Sequence, residues 1–113
     1  IKMKKTNKSI AGTNFNGVTF HCSPNFLIEL SNKLGANYNK FNNGQNKTNF
    51  DFTFENSKGD VFTVYDWKYY HKLNLNEVYE FNIGAKNREK ANIAFLDLYT
   101  ELQKNEKYYK QSL

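Results

Sequence analysis

The segment 50–66 constrains the fold most, because two alternating runs of apolar and polar residues flank a short turn. The first run reads F-D-F-T-F-E, which places three phenylalanines on one side of an extended chain. The next five residues, N-S-K-G-D, are turn formers, and residues 61–66 alternate again. The segment therefore predicts an antiparallel hairpin with one apolar face, while Tyr65 lies on the polar face with Asp51 and Glu55.

A strand and a helix are expected before this hairpin. Residues 17–22, G-V-T-F-H-C, alternate as a half-buried strand does. Ser23 is a good N-cap, and Pro24 suits the first helical position because its missing N–H would have no helical partner there. Leucines recur at helical spacing as far as Gly35, which favours a left-handed helix end. A helix over residues 24–34 follows.

After the hairpin, residues 67–75 are expected to form a connector with one helical turn capped by Asp66. Residues 77–83 again alternate between apolar and polar residues, which predicts a further strand, and Gly84-Ala85-Lys86 is expected to end it. Asn87 is placed to cap a final helix whose apolar stripe reaches residue 105.

The order β-α-β-β-β-α predicts an α+β fold: a small, mainly antiparallel sheet with two helices on one face and a polar face left open. The chain of 113 residues is long enough for one core, so residues 10–105 are expected to form a single domain. Residues 1–9, a basic tail, and residues 106–113 are expected to fray. The basic tail has a second interpretation, as an arm that touches phosphate.

Charge and composition narrow the classes of partner. The net charge is +5, carried by fifteen lysines and the single Arg88, which favours nucleic acid, nucleotides or an anionic surface as partner. Mutational bias toward lysine and asparagine explains the charge equally well. One cysteine and two histidines exclude an internal disulfide and argue against a zinc framework. No apolar run is long enough to span a membrane, so a cytoplasmic protein is expected.

Residues 65–71 form the first candidate binding site, since they interleave aromatic rings with positive charge. Aromatic faces and lysines are what a nucleotide or a single-stranded nucleic acid requires of a protein. The candidate ligand-binding residues here are Tyr65, Trp67, Lys68, Tyr69, Tyr70 and His71. The alternative is structural, with Trp67 and one or two tyrosines closing the end of the core.

The junction before the last helix is the second candidate. Free backbone N–H groups and the helix dipole favour an anion there, and Lys86, Asn87 and Arg88 surround the position. An ordinary turn with a capped helix is the alternative, because the segment has neither a Walker nor a GxGxxG pattern. We expect this junction and the aromatic cluster to lie side by side and form one pocket.

Three weaker candidates remain. The asparagine-rich loop 36–49 is either a solvated loop or a flap that brings Tyr38, Lys40, Phe41 and Lys47 to a ligand. Cys22 precedes a helix, but neighbouring residues on a strand point to opposite faces, so a buried structural thiol is expected. Asp51, Glu55 and Glu80 are interpreted as solvated acidic residues rather than as a metal or acid–base pair.

The runs F-T-V-Y-D-W-K (residues 62–68) and F-N-I-G-A-K before a helix resemble small uncharacterised α+β proteins encoded by phages. The resemblance covers residues 17–103 and implies a phage setting without an assigned activity. It leads us to expect an aromatic residue or histidine before the Ile-Gly pair, where this chain has Asn82, which we count among the ligand-binding candidates.

Together these observations predict a protein that is not an enzyme and has no cofactor and no metal. It is expected to hold a phosphate-bearing ligand, most simply a signalling or cyclic nucleotide of a host defence system. Two alternatives remain: an inhibitor or adaptor that binds a host protein through its sheet face, and a single-stranded nucleic-acid binder. The exposed sheet face leaves a homo-oligomer open.

Overall fold

The structure, a computed structural model, describes residues 2–112, so the outermost residue of each predicted tail lies outside the described residues. Within this range the chain forms five strands and three helices. In chain order they are β1 (Asn14–Cys22), α1 (Pro24–Leu34), β2 (Tyr38–Lys40), β3 (Phe50–Glu55), β4 (Val61–Tyr65), β5 (Tyr79–Ala85), α2 (Arg88–Gln103) and α3 (Glu106–Gln111).

The predicted α+β fold class is confirmed. The strands form one antiparallel sheet in the order β1-β5-β4-β3-β2, and apolar residues of α1, α2 and α3 share a single core with one face of that sheet. Within the hairpin, Phe52 pairs with Val64 and Phe54 pairs with Phe62, and all four side chains are fully buried. The other sheet face carries the polar residues.

Helix α1 has the predicted bounds and the predicted ends. The Ser23 hydroxyl accepts a hydrogen bond from the Phe26 N–H at 3.3 Å, and Pro24 occupies the first turn. Gly35 ends the helix at φ 70°, a left-handed conformation that glycine adopts without the steric cost of a Cβ.

Three details of the predicted elements are wrong. The loop 36–49 contains β2, a short edge strand against β3, because Tyr38 can stack on Phe52 at 5.1 Å between ring centroids. The connector contains no helical turn, since the Asp66 carboxylate binds N–H groups of another loop instead of capping one. Strand β5 continues through Ala85, where β1 pairs with it.

Both chain ends are ordered where fraying was expected. Met3 is buried in the core, and the backbone of Lys4 pairs with Glu55 beyond the end of β2. The Lys8 ammonium lies 3.2 Å from Glu55 Oε1, so its charge is used within the protein rather than by a phosphate. At the other end, α3 buries Tyr108 against Phe26. These apolar anchors are the physical reason that the ends are held.

Residues 2–13 therefore form a strap, which leaves the β3 edge at Glu55 and reaches β1 at Asn14 on the opposite edge of the sheet. The strap passes the hairpin turn, where Lys8 also donates to the Gly59 carbonyl. Among residues 2–112, no helix is both long and apolar enough to cross a bilayer.

Candidate functional site

The open face of the sheet carries one polar row that crosses all five strands. The row follows from the register, which pairs each member with the next and so fixes all of them on the same face. Its members are Thr19, Asn82, Tyr65, Asp51 and Asn39. Gly84 lies beside this row, and its lack of a Cβ leaves room for the side chains of Thr63 and Tyr65.

Tyr65 is the centre of the row. Burial raises the pKa of its phenol, and a hydrogen bond with Asn82 acts in the opposite direction. The Tyr65 ring meets the Trp67 ring edge to face at 6.1 Å between centroids. Asn82, predicted as a ligand-binding residue, therefore belongs to the same end of the sheet as the aromatic cluster.

A buried carboxylate, Asp66, fixes the loops that carry the cluster. Its two oxygens accept from the backbone N–H and the side-chain amide of Asn49 and from the Phe50 N–H, at 2.8 to 3.1 Å. Asn49 in turn donates to the His71 carbonyl at 3.0 Å. Asp66 is fully buried, so these bonds replace its lost hydration.

Two further contacts join loop 41–49 to loop 66–75. The Lys68 N–H donates to the Lys47 carbonyl at 2.7 Å, and the Asn42 side chain exchanges two hydrogen bonds with the backbone of Leu73. Gly44 lies so close to His71 that an added Cβ would come within 2.6 Å of the His71 Cα. The asparagine-rich loop is therefore a packed support for the aromatic loop.

Trp67 lies on the surface of this joined pair of loops. Its side chain is 46% exposed, and the ammonium groups of Lys68 and Lys47 lie 5.6 and 5.8 Å from the ring centroid. Both distances are within the range of a cation–π contact. Tyr70 is 55% exposed in the same loop. The interpretation of Trp67 as a plug at the end of the core is wrong, since the ring faces solvent.

The backbone of the aromatic loop adopts two unusual conformations. Lys68 and Tyr70 have φ of 57° and 54°, and they are the only non-glycine residues with positive φ in the described part of the chain. Such conformations cost energy for residues with a Cβ, and they occur often at functional sites. In this loop Trp67, Lys68, Tyr70 and His71 are exposed, and Tyr69 is partly buried.

Tyr69 has a different environment from its neighbours. Its ring packs edge to face against Tyr79 and against His71, at 5.5 and 5.7 Å, and its hydroxyl donates to the Glu80 carbonyl. Partial burial raises the pKa of its phenol. Tyr69 therefore supports the loop, whereas Trp67 and Tyr70 present their rings to solvent.

The second predicted half of the pocket lies elsewhere. Strands β4 and β5 are antiparallel, with Tyr65 opposite Asn82, so the end of β5 lies beside the start of β4. Lys86 borders a cleft that includes Lys8, Asp60 and Val61 at the hairpin-turn end of the sheet. Gly84 does lie against Tyr65, but Lys86 lies at the hairpin-turn end of the sheet, so the prediction that Lys86, Asn87 and Arg88 form one pocket with the aromatic cluster is wrong.

The junction residues also have structural partners. The Asn87 side chain caps α2 by accepting from the Lys90 N–H at 2.9 Å. The Arg88 guanidinium donates to the Asn16 carbonyl at 3.1 Å, where β1 bulges and Gly17 leaves it space. These contacts match the structural alternative for this segment.

The acidic residues of β3 are not the uniform solvated row that the alternation predicted. Glu55 is buried, and hydrogen bonds from Thr6 and Lys8 lower the pKa of its carboxyl. Asp51 behaves oppositely, since burial and the charge of Asp66 raise its pKa to about 6. No hydrogen-bond donor among residues 2–112 reaches its shielded Oδ1.

Sequence reasoning interpreted Asp51 as a solvated acidic residue and gave Lys47 only a minor place in the site. Lys47 could have been ranked higher only if the contact between the two loops had been foreseen. Cys22, as expected, is buried, and burial raises the pKa of its thiol well above the ordinary value. Within the described residues, no group of three or more histidine, cysteine or acidic side chains is placed to hold a metal ion.

Comparison of the chain with known protein families, with curated proteins and with solved structures gives no match.

Proposed function

We propose that this protein binds a phosphate-bearing ligand without chemical change, at the end of the open sheet face formed by Tyr65, Trp67, Tyr70, Lys47 and Lys68. We call this set the Trp67 platform. Among such ligands, a short single strand of nucleic acid suits the platform better than the mononucleotide expected from the sequence.

One observation carries the proposal: the Trp67 side chain, about half exposed, lies against Tyr65 and has the ammonium groups of Lys68 and Lys47 at 5.6 and 5.8 Å from its ring centroid. A base can stack on the ring while the flexible lysine side chains move to the neighbouring phosphates. Stacking of this kind contributes about 1–3 kcal/mol per base. Lys40 and Lys72 lie in or beside the same two loops and extend the positive charge.

The openness of the platform favours a strand over a single nucleotide. Small-ligand sites usually enclose 70–90% of their ligand. Here the rings of Trp67 and Tyr70 are about half exposed, so one nucleotide would leave much of its surface in water. A strand gains affinity from several weak contacts along a surface.

Binding without catalysis fits the state of the reactive side chains. Cys22 is inside the core with a raised thiol pKa, which disfavours the nucleophilic thiolate. Glu55 is paired with Lys4 and Lys8 at the end of β3, whereas Asp51 lies near the start of that strand. The two carboxylates are therefore not arranged as an acid–base pair.

The test uses Trp67 fluorescence, which reports from the site because this is the only tryptophan in the chain. The protein is titrated with a short oligothymidylate and, separately, with cyclic and linear mononucleotides. We expect tighter binding of the strand and an affinity that falls as salt is raised. Binding of a mononucleotide as tightly as the strand would refute the preference, and no binding of either would refute the proposed function.

Lysine variants locate the site. Lys47→Ala and Lys68→Ala are each expected to weaken binding and to lower the salt dependence by about one counterion. Lys86→Ala is the matched control, because it removes the same charge at the opposite end of β5. An equal loss in the Lys86 variant would favour the composite pocket that the sequence predicted, or a charge effect without a defined site.

A further inference from the structure

Asp51 stands apart from the other buried or partly buried carboxylates. Asp66 accepts several N–H groups, and Glu55 and Glu101 each face two lysines. Oδ1 of Asp51 is shielded from solvent, yet no donor within residues 2–112 reaches it. Leaving a shielded carboxylate oxygen without a donor is costly, and a ligand N–H group would remove that cost once the partly buried side chain turns toward the ligand.

The same residue borders a cleft on the open face, between the strap and the β2–β3 edge. The cleft has a volume of about 300 Å³, which is at the small end of ligand sites and suits one planar group. Besides Asp51, its walls are mainly uncharged polar residues, namely Thr6, Asn37, Asn39 and Thr53, with Ile10 and Tyr38.

The cleft adjoins the Trp67 platform. Asp51 is the register partner of Tyr65, and directly paired residues on one face have Cβ atoms about 5 Å apart. Tyr65 in turn contacts Trp67. A strand that stacks one base on Trp67 can therefore bring a neighbouring base to Asp51.

We propose that Asp51 recognises guanine in this cleft, so that the strand held on the Trp67 platform is selected for a guanine base. This inference rests on the proposed function, which it makes more specific by naming the base.

The chemistry of a carboxylate selects guanine among the bases. An ionised carboxylate only accepts hydrogen bonds and repels phosphate, so on a nucleic-acid surface it must contact donors on a base. Guanine presents two adjacent donors, N1–H and the N2 amine, which match the two carboxylate oxygens. Adenine places the N1 acceptor beside its amine, thymine flanks N3–H with two carbonyls, and cytosine offers only its N4 amine.

The experiment measures Trp67 fluorescence with oligothymidylates in which one internal base is replaced by guanine, adenine, cytosine, inosine or 7-deazaguanine. We expect the guanine strand to bind about tenfold more tightly than the adenine strand, the size of one good bidentate contact. 7-Deazaguanine keeps both donors and should bind as guanine does. Inosine lacks the N2 amine and should lose most of the preference.

The variant Asp51→Asn tests the residue itself. It is expected to lose the guanine preference and shift toward adenine, because a carboxamide offers one donor and one acceptor. The matched control is Asp60→Asn, which removes the same charge at the hairpin turn, where Asp60 pairs with Lys90 at 3.2 Å. The control should keep the preference for guanine.

The outcomes separate the two proposals. Equal binding of all strands by the unmodified protein would overturn the guanine assignment and leave the Trp67 platform standing. A guanine preference that survives in Asp51→Asn, or equal binding of inosine and guanine, would also overturn the assignment. No binding of any strand would overturn both proposals. Tighter binding of an arginine-containing peptide, whose guanidinium also offers paired donors, would assign the cleft to a protein partner instead.

Discussion

Replacing Asp51 by asparagine should stabilise the protein at neutral pH, because Asp51 is held in an environment unfavourable to its charge. The folded protein raises the pKa of this carboxyl from 3.8 to about 6 through burial and through the charge of Asp66. Each unit of pKa difference between the folded and unfolded states corresponds to about 1.4 kcal/mol. The shift of about two units sets an upper limit of about 3 kcal/mol at pH 7.5. Partial exposure of the side chain reduces the expected gain to about 1–2 kcal/mol.

The gain in stability from Asp51→Asn should depend on pH, because only the ionised carboxylate destabilises the folded protein. An acid with a raised folded pKa destabilises the protein above that pKa, where folding must hold the charge, and this penalty disappears as the pH falls from about 6 toward 3.8. Urea denaturation of the Asp51→Asn variant and the unmodified protein should therefore show a stability difference at pH 7.5 that has mostly vanished at pH 4. A difference that is absent at pH 7.5, or equally large at both values, would refute the reasoning.

Four other changes test features of the fold. Asp66→Asn should destabilise the protein by about 2–4 kcal/mol in urea denaturation, since it removes a buried charge that accepts several N–H bonds; a loss below about 1 kcal/mol would contradict this. Gly44→Ala should destabilise by more than about 1 kcal/mol and weaken strand binding, because the residue has φ 74° and faces the His71 backbone; an unchanged Tm would argue against it. Acid should loosen the strap, because the ionised Glu55 carboxylate holds Lys4 and Lys8 and has a lowered pKa in the folded protein. The stabilisation by this carboxylate is complete above the ordinary pKa of 4.5 and is lost as the pH falls through the folded pKa. Limited proteolysis between residues 4 and 13 measures the loosening, and the Glu55→Gln variant should be cleaved more readily even at pH 7. Trp67→Ala should abolish strand binding while lowering the free energy of unfolding by no more than about 2 kcal/mol, as about half of the side chain is exposed; a loss above about 3 kcal/mol, typical of a core tryptophan, would return Trp67 to the core.

The elements with strong local signals were predictable from the sequence. Helix α1 has the predicted bounds because its cap, its proline and its terminal glycine act within a few residues of the helix. The hairpin register follows from the position of its turn and from the apolar alternation of β3 and β4. Both features depend on interactions that are near in sequence, which a periodic pattern records directly.

The prediction that the aromatic cluster and the 84–88 junction form one pocket was wrong because of the sheet topology. The aromatic loop follows the end of β4, whereas Lys86 follows the end of β5, and antiparallel neighbours place those ends at opposite sides of the sheet. The antiparallel sheet had itself been predicted, so this consequence was available from the sequence.

Other features of the site had no local signal. The bonds of Asp66 join residues 17 and 16 positions apart in the chain, and nothing near Asn49 indicates that partner. The contact of Lys8 with Glu55 spans 47 positions. Alternation predicted Asp51 and Glu55 as equivalent residues on one face. The strap, which binds Glu55, and the burial of Asp51 near the charge of Asp66 make them different.

The contact between Arg88 and Asn16 has a consequence for how copies of this protein meet. An open antiparallel sheet exposes unpaired backbone groups at its two outer strands, which invites sheet extension between molecules. On the β1 side, the bulge interrupts the regular spacing of backbone hydrogen-bonding groups, and the Arg88 guanidinium donates to the Asn16 carbonyl. On the β2 side, the strand has only three residues, and the strap pairs with β3 beyond it. Both outer strands are therefore poor templates for a strand of another molecule. The sheet is protected from edge-to-edge association into fibres, and its open face stays available to a ligand.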